Sequence, residues 1–171
     1  MEDIAVTPSI YLKQVELGPM GNYVYFVGDP NTREVAVVDP AWDVDRIVDL
    51  AQENGLTITK ILITHSHFDH INGVEALLNR TKAKVYINKA EAEFMKAVWP
   101  DLVKVDSGDT TRVGDVDIAF LHTPGHTLES TSYLLDAALR AGGHTTGVIG
   151  TVATHIGDDV LPATRTTPEA P

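Results

Sequence analysis

Cysteine is absent from the 171 residues, which excludes disulfide bonds, thiolate zinc sites and a thiol nucleophile. Cations are scarce too. Thirteen Lys and Arg stand against twenty-four Asp and Glu, a formal charge of −11, so the surface repels phosphate backbones and anionic lipid, and neither nucleic acid nor membrane is expected as a partner. No apolar run is long enough to span a bilayer, and Met1-Glu2-Asp3-Ile4-Ala5 has neither the basic patch nor the apolar stretch of a signal peptide. A cytoplasmic location is the expectation. What is present, 43% apolar and 22% charged residues, suits one globular domain.

The chain opens with alternation at Tyr11 to Leu17, a strand-rich Asn22 to Val27 and, after the turn signal Gly28-Asp29-Pro30-Asn31, a third strand from Glu34 to Asp39. From Asp43 the period changes to helical through Val44, Ile47, Val48, Leu50 and Ala51, closing at Asn54-Gly55. A buried strand at Thr59 to Thr64 follows, then helix at Val74 to Asn79, strand at Lys84 to Ile87, and helix from Lys89 to Val98 stopped by Trp99-Pro100. A hairpin around Val113 to Val116 leads into Asp117 to Leu121, and Ser132 to Leu135 is the last well-marked strand. The expected domain covers residues 8–136. Residues 137–171, rich in Thr, Gly, Ala and Pro and without an aromatic, form a tail in which Val148-Ile149 and Val152 make at most one more strand.

The chemistry concentrates in His65-Ser66-His67-Phe68-Asp69-His70. Seven histidines in 171 residues would put about a quarter of one in any six positions, yet three stand here beside a carboxylate. The segment leaves a buried strand, so His65 and His67, two apart, point to one side and can grip one ion. Asp69 and His70 fall where the chain turns and can hold a second cation. Imidazoles with a carboxylate and no thiolate suit Zn²⁺, one or two ions, with Fe or Mn also compatible. A polar loop of merely hydrogen-bonded imidazoles explains the clustering less well, because crowding them without a ligand brings no stability. In Leu121-His122-Thr123-Pro124-Gly125-His126, Pro and Gly fix a tight loop that makes His126 the third ligand of the first ion, while His122 is expected to play a supporting or structural part. Trp42 and Trp99 are candidates for a pocket, with core packing the commoner role for such residues.

These residues resemble the metallo-β-lactamase-fold hydrolase superfamily: Val38-Asp39-Pro40, the His-x-His-x-Asp-His of residues 65–70 and the His126 loop occur in the family's order. The Gly18-Pro19-Met20-Gly21-Asn22 loop is most similar to the glyoxalase II-type thioesterases, and His126-Thr127-Leu128-Glu129-Ser130-Thr131 to iron persulfide dioxygenases of the same fold. The resemblance implies an α/β fold of the αββα sandwich type, here its N-terminal half plus an irregular tail, with metals at one edge and Asp39 as a carboxylate near them. It implies a hydrolase in which a metal-bound hydroxide, hydrogen-bonded to Asp69 as the catalytic carboxylate, attacks a thioester such as an acyl-glutathione. The alternatives are an iron-dependent persulfide dioxygenase, a phosphodiesterase or RNase of the same fold, which the acidic surface disfavours, and a catalytically impaired metal-binding fragment. Where the family carries a metal-bridging Gly-Asp, this chain reads Gly142-Gly143-His144-Thr145, so Asp158 or Asp159, or an added His144 or His155, would have to substitute. The chain also stops before the family's second half-sheet, which implies truncation or a changed frame after about residue 136, or a homo-oligomer covering an exposed sheet face.

Overall fold

A computed structural model describes residues 5–7, 10–127, 130–135, 147–149, 153–156 and 159–162, with side chains described for 10–127 and 130–131. Two sheets face each other. The first runs in the order β1(Ala5–Thr7), β2(Ile10–Leu17), β3(Asn22–Gly28), β4(Glu34–Val38), β5(Thr57–Leu62), β6(Lys84–Asn88), β7(Leu102–Val105). Its early strands are antiparallel, and β4 to β7 are parallel because α1(Val44–Glu53), α2(Phe68–Ile71), α3(Val74–Leu78) and α4(Lys89–Phe94) carry the chain back between them. The second sheet is an antiparallel ladder, β8(Thr110–Val113), β9(Val116–His122), β10(Thr131–Leu135), β11(Gly147–Ile149), β12(Ala153–Ile156), β13(Asp159–Pro162).

Period-two alternation sorts the core into two layers. Val24, Phe26, Val35, Val37, Ile61 and Ile63 pack toward the helices. Their neighbours Tyr25, Val27, Ala36, Val38 and Leu62 face Val113, Val116, Ile118 and Phe120 of the second sheet. Strands buried on both faces read as continuous apolar runs, which is why Glu34 to Asp39 and Thr59 to Thr64 were legible as strands. The helix α1 is equally local in origin: Asp43 caps it by accepting from the Arg46 N–H at 3.0 Å, and Val44, Ile47, Leu50 and Ala51 form its buried stripe.

Beyond the short β1 and α2, which the sequence did not mark, three further details differ from the expected elements. The helix from Lys89 stops at Phe94, because Lys96 turns left-handed (φ 52°) and the Ala97 N–H closes back on the Ala92 carbonyl, leaving Trp99 packed on the helix-side core. Residues 102–105, too short to show a period, form β7 beside β6. Val148-Ile149 form the one tail strand expected, β11, but β12 and β13 extend the ladder further; Val152 lies outside the described residues.

Candidate metal centre

The parallel register sets the place of the site. Val38 pairs with Leu62, so β4 and β5 end side by side, and the Asp39 N–H donates to the Leu62 carbonyl at 3.0 Å. Open α/β sheets bind ligands at such carboxyl ends. From there the chain runs through Ile63, Thr64 and His65 into α2. In the second sheet Thr131 pairs with His122, and the Thr131 N–H donates to the Thr64 carbonyl at 2.9 Å, which brings the loop between β9 and β10 to the same edge.

His65, His67 and His126 meet there. Their facing atoms are His65 Nε2, His67 Nδ1 and His126 Nε2, with the middle atom 3.1 Å and 3.0 Å from the other two. The three rings stand at 77°, 87° and 90° to one another. One tetrahedral ion with bonds of about 2.0–2.1 Å holds its nitrogen ligands roughly 3.3 Å apart, close to this spacing. A hydrogen-bonded reading is poorer, because His67 Nδ1 carries either one proton or one lone pair and can satisfy only one of two neighbours. The donor set therefore fits a borderline cation such as Zn²⁺.

The tautomer of His65 is set by residues behind it. Asp39 Oδ1 accepts from the Thr64 N–H at 2.7 Å, and Oδ2 accepts from the Thr64 hydroxyl at 2.5 Å. With that hydrogen committed, Thr64 Oγ1 accepts from His65 Nδ1–H at 2.9 Å, which leaves the lone pair on Nε2, the atom aimed at His67 and His126. Burial of the ring, fully enclosed, pushes its pKa down to about 4; Asp39 opposes this and the imidazoles of His70, His67 and His126 add to it. His65 is thus a neutral imidazole at ordinary pH.

Asp69 and His70 lie on α2 and face each other, His70 Nε2 being 3.6 Å from Asp69 Oδ2. His70 Nδ1–H donates to Asp39 Oδ2 at 2.9 Å, so Asp39, His65 and His70 form a second group of metal-capable side chains sharing His65 with the first. Burial works against the His70 charge, but the hydrogen bond and the charges of Asp39 and Asp69 prevail and raise its pKa. Burial likewise works against the Asp69 charge, yet the Asn22 hydrogen bond at 2.8 Å and the nearby imidazoles hold the carboxyl below the usual range.

Three participants escaped the sequence reading. Asn22 bridges Asp69 and Trp42, accepting from the indole Nε1–H at 2.9 Å, and Thr64 links Asp39 to His65. Glu91, buried on α4, accepts from Ser66 N–H and from the Thr127 hydroxyl. Only Glu91 left a local signal, a carboxylate on the buried face of its helix. Trp42 stands against Phe68 at the site edge, whereas Trp99 packs on the core. His122, exposed at the end of β9, donates its backbone N–H to Ser107 Oγ and belongs to neither imidazole group among the described residues. Gly142, Gly143, His144 and Asp158 lie outside the described residues, as do the side chains of His155 and Asp159.

Residues 17–137 match the family model described as "Metallo-beta-lactamase superfamily". The chain is 35% identical over 121 residues to the "Probable polyketide biosynthesis zinc-dependent hydrolase BaeB" of Bacillus velezensis, covering 71% of this chain and 54% of that protein. It is 40% identical over 117 residues to a hydroxyacylglutathione hydrolase of Bradyrhizobium, covering 68% and 44%. The crystal structure of ETHE1 from Myxococcus xanthus superposes with a TM-score of 0.63 at 37% identity, covering 72% of this chain and 53% of that one. The chain thus spans about half the length of the curated relatives it matches.

Proposed function

Because the chain belongs to the metallo-beta-lactamase superfamily, we propose that it is a metal-dependent hydrolase whose substrate is a small thioester such as an acyl-glutathione. The observation that carries this reading is the convergence of His65 Nε2, His67 Nδ1 and His126 Nε2 on one point from two different sheets. Those three would hold the first ion, with Asp69 and His70 available to a second. A divalent zinc there supplies a Lewis acid for the carbonyl oxygen and lowers the pKa of water toward neutrality.

The chain's own residues do the rest. Asp39 and Thr64 keep the His65 proton on Nδ1, and Asn22 holds the Asp69 carboxylate ionised, where it can accept a hydrogen bond from an attacking water or hydroxide and orient it. The thioester assignment draws on the hydroxyacylglutathione hydrolases among the relatives and on the Gly18 to Asn22 loop. A second reading, iron-dependent oxidation of a persulfide, draws on residues 126–131 and on the likeness to ETHE1.

Metal analysis of the dialysed protein, with acyl-glutathione hydrolysis and persulfide-dependent oxygen uptake as the two assays, separates them. Zinc with thioester turnover is the expected result; iron with oxygen uptake establishes the second reading. His67→Ala and His126→Ala should each weaken zinc binding at least about 10- to 100-fold, the range that even outer partners of ligands reach. Undiminished zinc in both variants overturns the site. Metal binding without either activity identifies an impaired fragment.

A further inference from the structure

His126 differs from His65 in how it is held. His65 is enclosed by the core, whereas His126 is exposed on the loop between β9 and β10, so its position depends on what grips the residues beside it. One side chain grips both loops. Glu91, 3% exposed, accepts at Oε2 from the backbone N–H of Ser66, the residue between His65 and His67, at 3.2 Å. At Oε1 it accepts from the hydroxyl of Thr127, the residue after His126, at 2.8 Å.

The hydroxyl chain behind Thr127 is closed. With its hydrogen given to Glu91, Thr127 Oγ1 accepts from the Ser130 hydroxyl at 2.8 Å, and Ser130 Oγ accepts the Thr127 N–H at 3.0 Å. Ser130 is fully buried and borders Thr131, whose N–H is bound to the Thr64 carbonyl. Glu91 itself is fixed by its start in α4: Asn88, the last residue of β6, caps that helix by accepting from the Ala90 N–H at 2.7 Å. A rigid strand end therefore carries a carboxylate that ties the first histidine pair to the third.

We propose that Glu91 is the positioning residue that sets the separation of His126 from the His65–His67 pair, acting through Ser66 on one side and Thr127 on the other. This rests on the metal site proposed above. Glu91 touches no metal and no substrate. Its two oxygens are a spacer, and a ligand displaced by a fraction of an ångström loses affinity. Glutamine keeps the spacer, since its carbonyl can accept from Ser66 while its amide donates to Thr127 Oγ1, whose hydrogen then turns to Ser130. The role is thus one of length and hydrogen bonding, with charge dispensable.

The test measures zinc affinity by competition with a chromogenic chelator, together with the visible spectrum of the Co²⁺-loaded full chain. Glu91→Ala and Thr127→Val should bind zinc about 10- to 100-fold more weakly. They should also lose the intense absorption of a tetrahedral Co²⁺ site, while Glu91→Gln and Thr127→Ser stay close to the parent. If Glu91→Ala fails to fold, Thr127→Val, at a half-buried position, decides. Parent-like zinc binding in Thr127→Val and Glu91→Ala, with His126→Ala impaired, overturns the positioning role while leaving the metal site standing. A loss in Glu91→Gln equal to that in Glu91→Ala overturns it too, making charge the agent. Parent-like binding in His126→Ala overturns the metal site itself, and this inference with it.

Discussion

Asp39 receives three donors: the Thr64 N–H, the Thr64 hydroxyl and His70 Nδ1–H. It does so in a left-handed conformation (φ 49°) that a non-glycine residue adopts only when its surroundings hold it, and Trp42, three residues on, is left-handed as well (φ 63°). Such strain concentrates at functional edges. Asp39→Ala would strand three donors, the two of Thr64 buried and that of His70 half-buried, and should destabilise the chain by about 3–5 kcal/mol in chemical denaturation, the cost of breaking a buried charged network. A change below about 1 kcal/mol would mean that water replaces the carboxylate.

His65 gives a pH dependence of definite sign. Its folded pKa near 4 lies below the unfolded value of about 6.5, so the unfolded chain binds the extra proton between these limits. Stability from this group is fully present above pH 6.5 and declines as pH falls toward 4. His70, shifted the other way, loses its contribution only as pH rises past 6.5. Urea unfolding of the zinc-free protein should therefore show a midpoint that drops from pH 6.5 to pH 4, and a smaller drop in His65→Asn. Equal slopes in the two proteins would contradict the neutral, buried His65.

At the scale of elements, the turn between β2 and β3 matters as much as the histidine loop. Gly18 is left-handed (φ 76°), and a Cβ placed there would lie 2.2 Å from Trp42 Cγ. The indole Nε1–H donates to Asn22, which in turn donates to Asp69. Gly18→Ala must displace Trp42 or the turn, so it should cost about 1–3 kcal/mol, as overpacking does, and should also disturb the Asn22–Asp69 bond. A thermal melt together with zinc titration checks both effects. An unchanged melt would show that the turn relaxes freely.

At the scale of the whole molecule, the first sheet is packed on both faces, by helices on one side and by the second sheet on the other. Ile47 belongs to the first interface and Phe120 to the second, each fully buried. Ile47→Ala should cost about 2–5 kcal/mol and Phe120→Ala about 3–5 kcal/mol. Because β3, β4 and β5 contribute to both interfaces, fluorescence from Trp42 and Trp99 should lose its signal in one transition that coincides with circular dichroism. Two separated transitions in Phe120→Ala would mean that the sheets unfold independently.

The amino-acid order alone determined what depends on neighbours in sequence. Alternation and apolar runs marked β2 to β6, the 3.6-residue period with Asp43 ahead marked α1, and three histidines and an aspartate within six positions marked the loop where the imidazoles gather. Local signals failed where an element was too short to repeat, as in β7, or where a helix ended on a left-handed Lys96. Tertiary structure decided what depends on register. The parallel pairing of Val38 with Leu62 puts Asp39 beside Thr64 and His70, although 25 and 31 residues separate them. The antiparallel pairing of Thr131 with His122 brings His126 to His67, 59 residues away, and the end of β6 delivers Glu91 to both loops. Hydrogen-bond acceptors such as Asn22 and Glu91 carry no spacing rule, because their partners are chosen by which strand ends share an edge, and that is settled only when the sheets pair and pack.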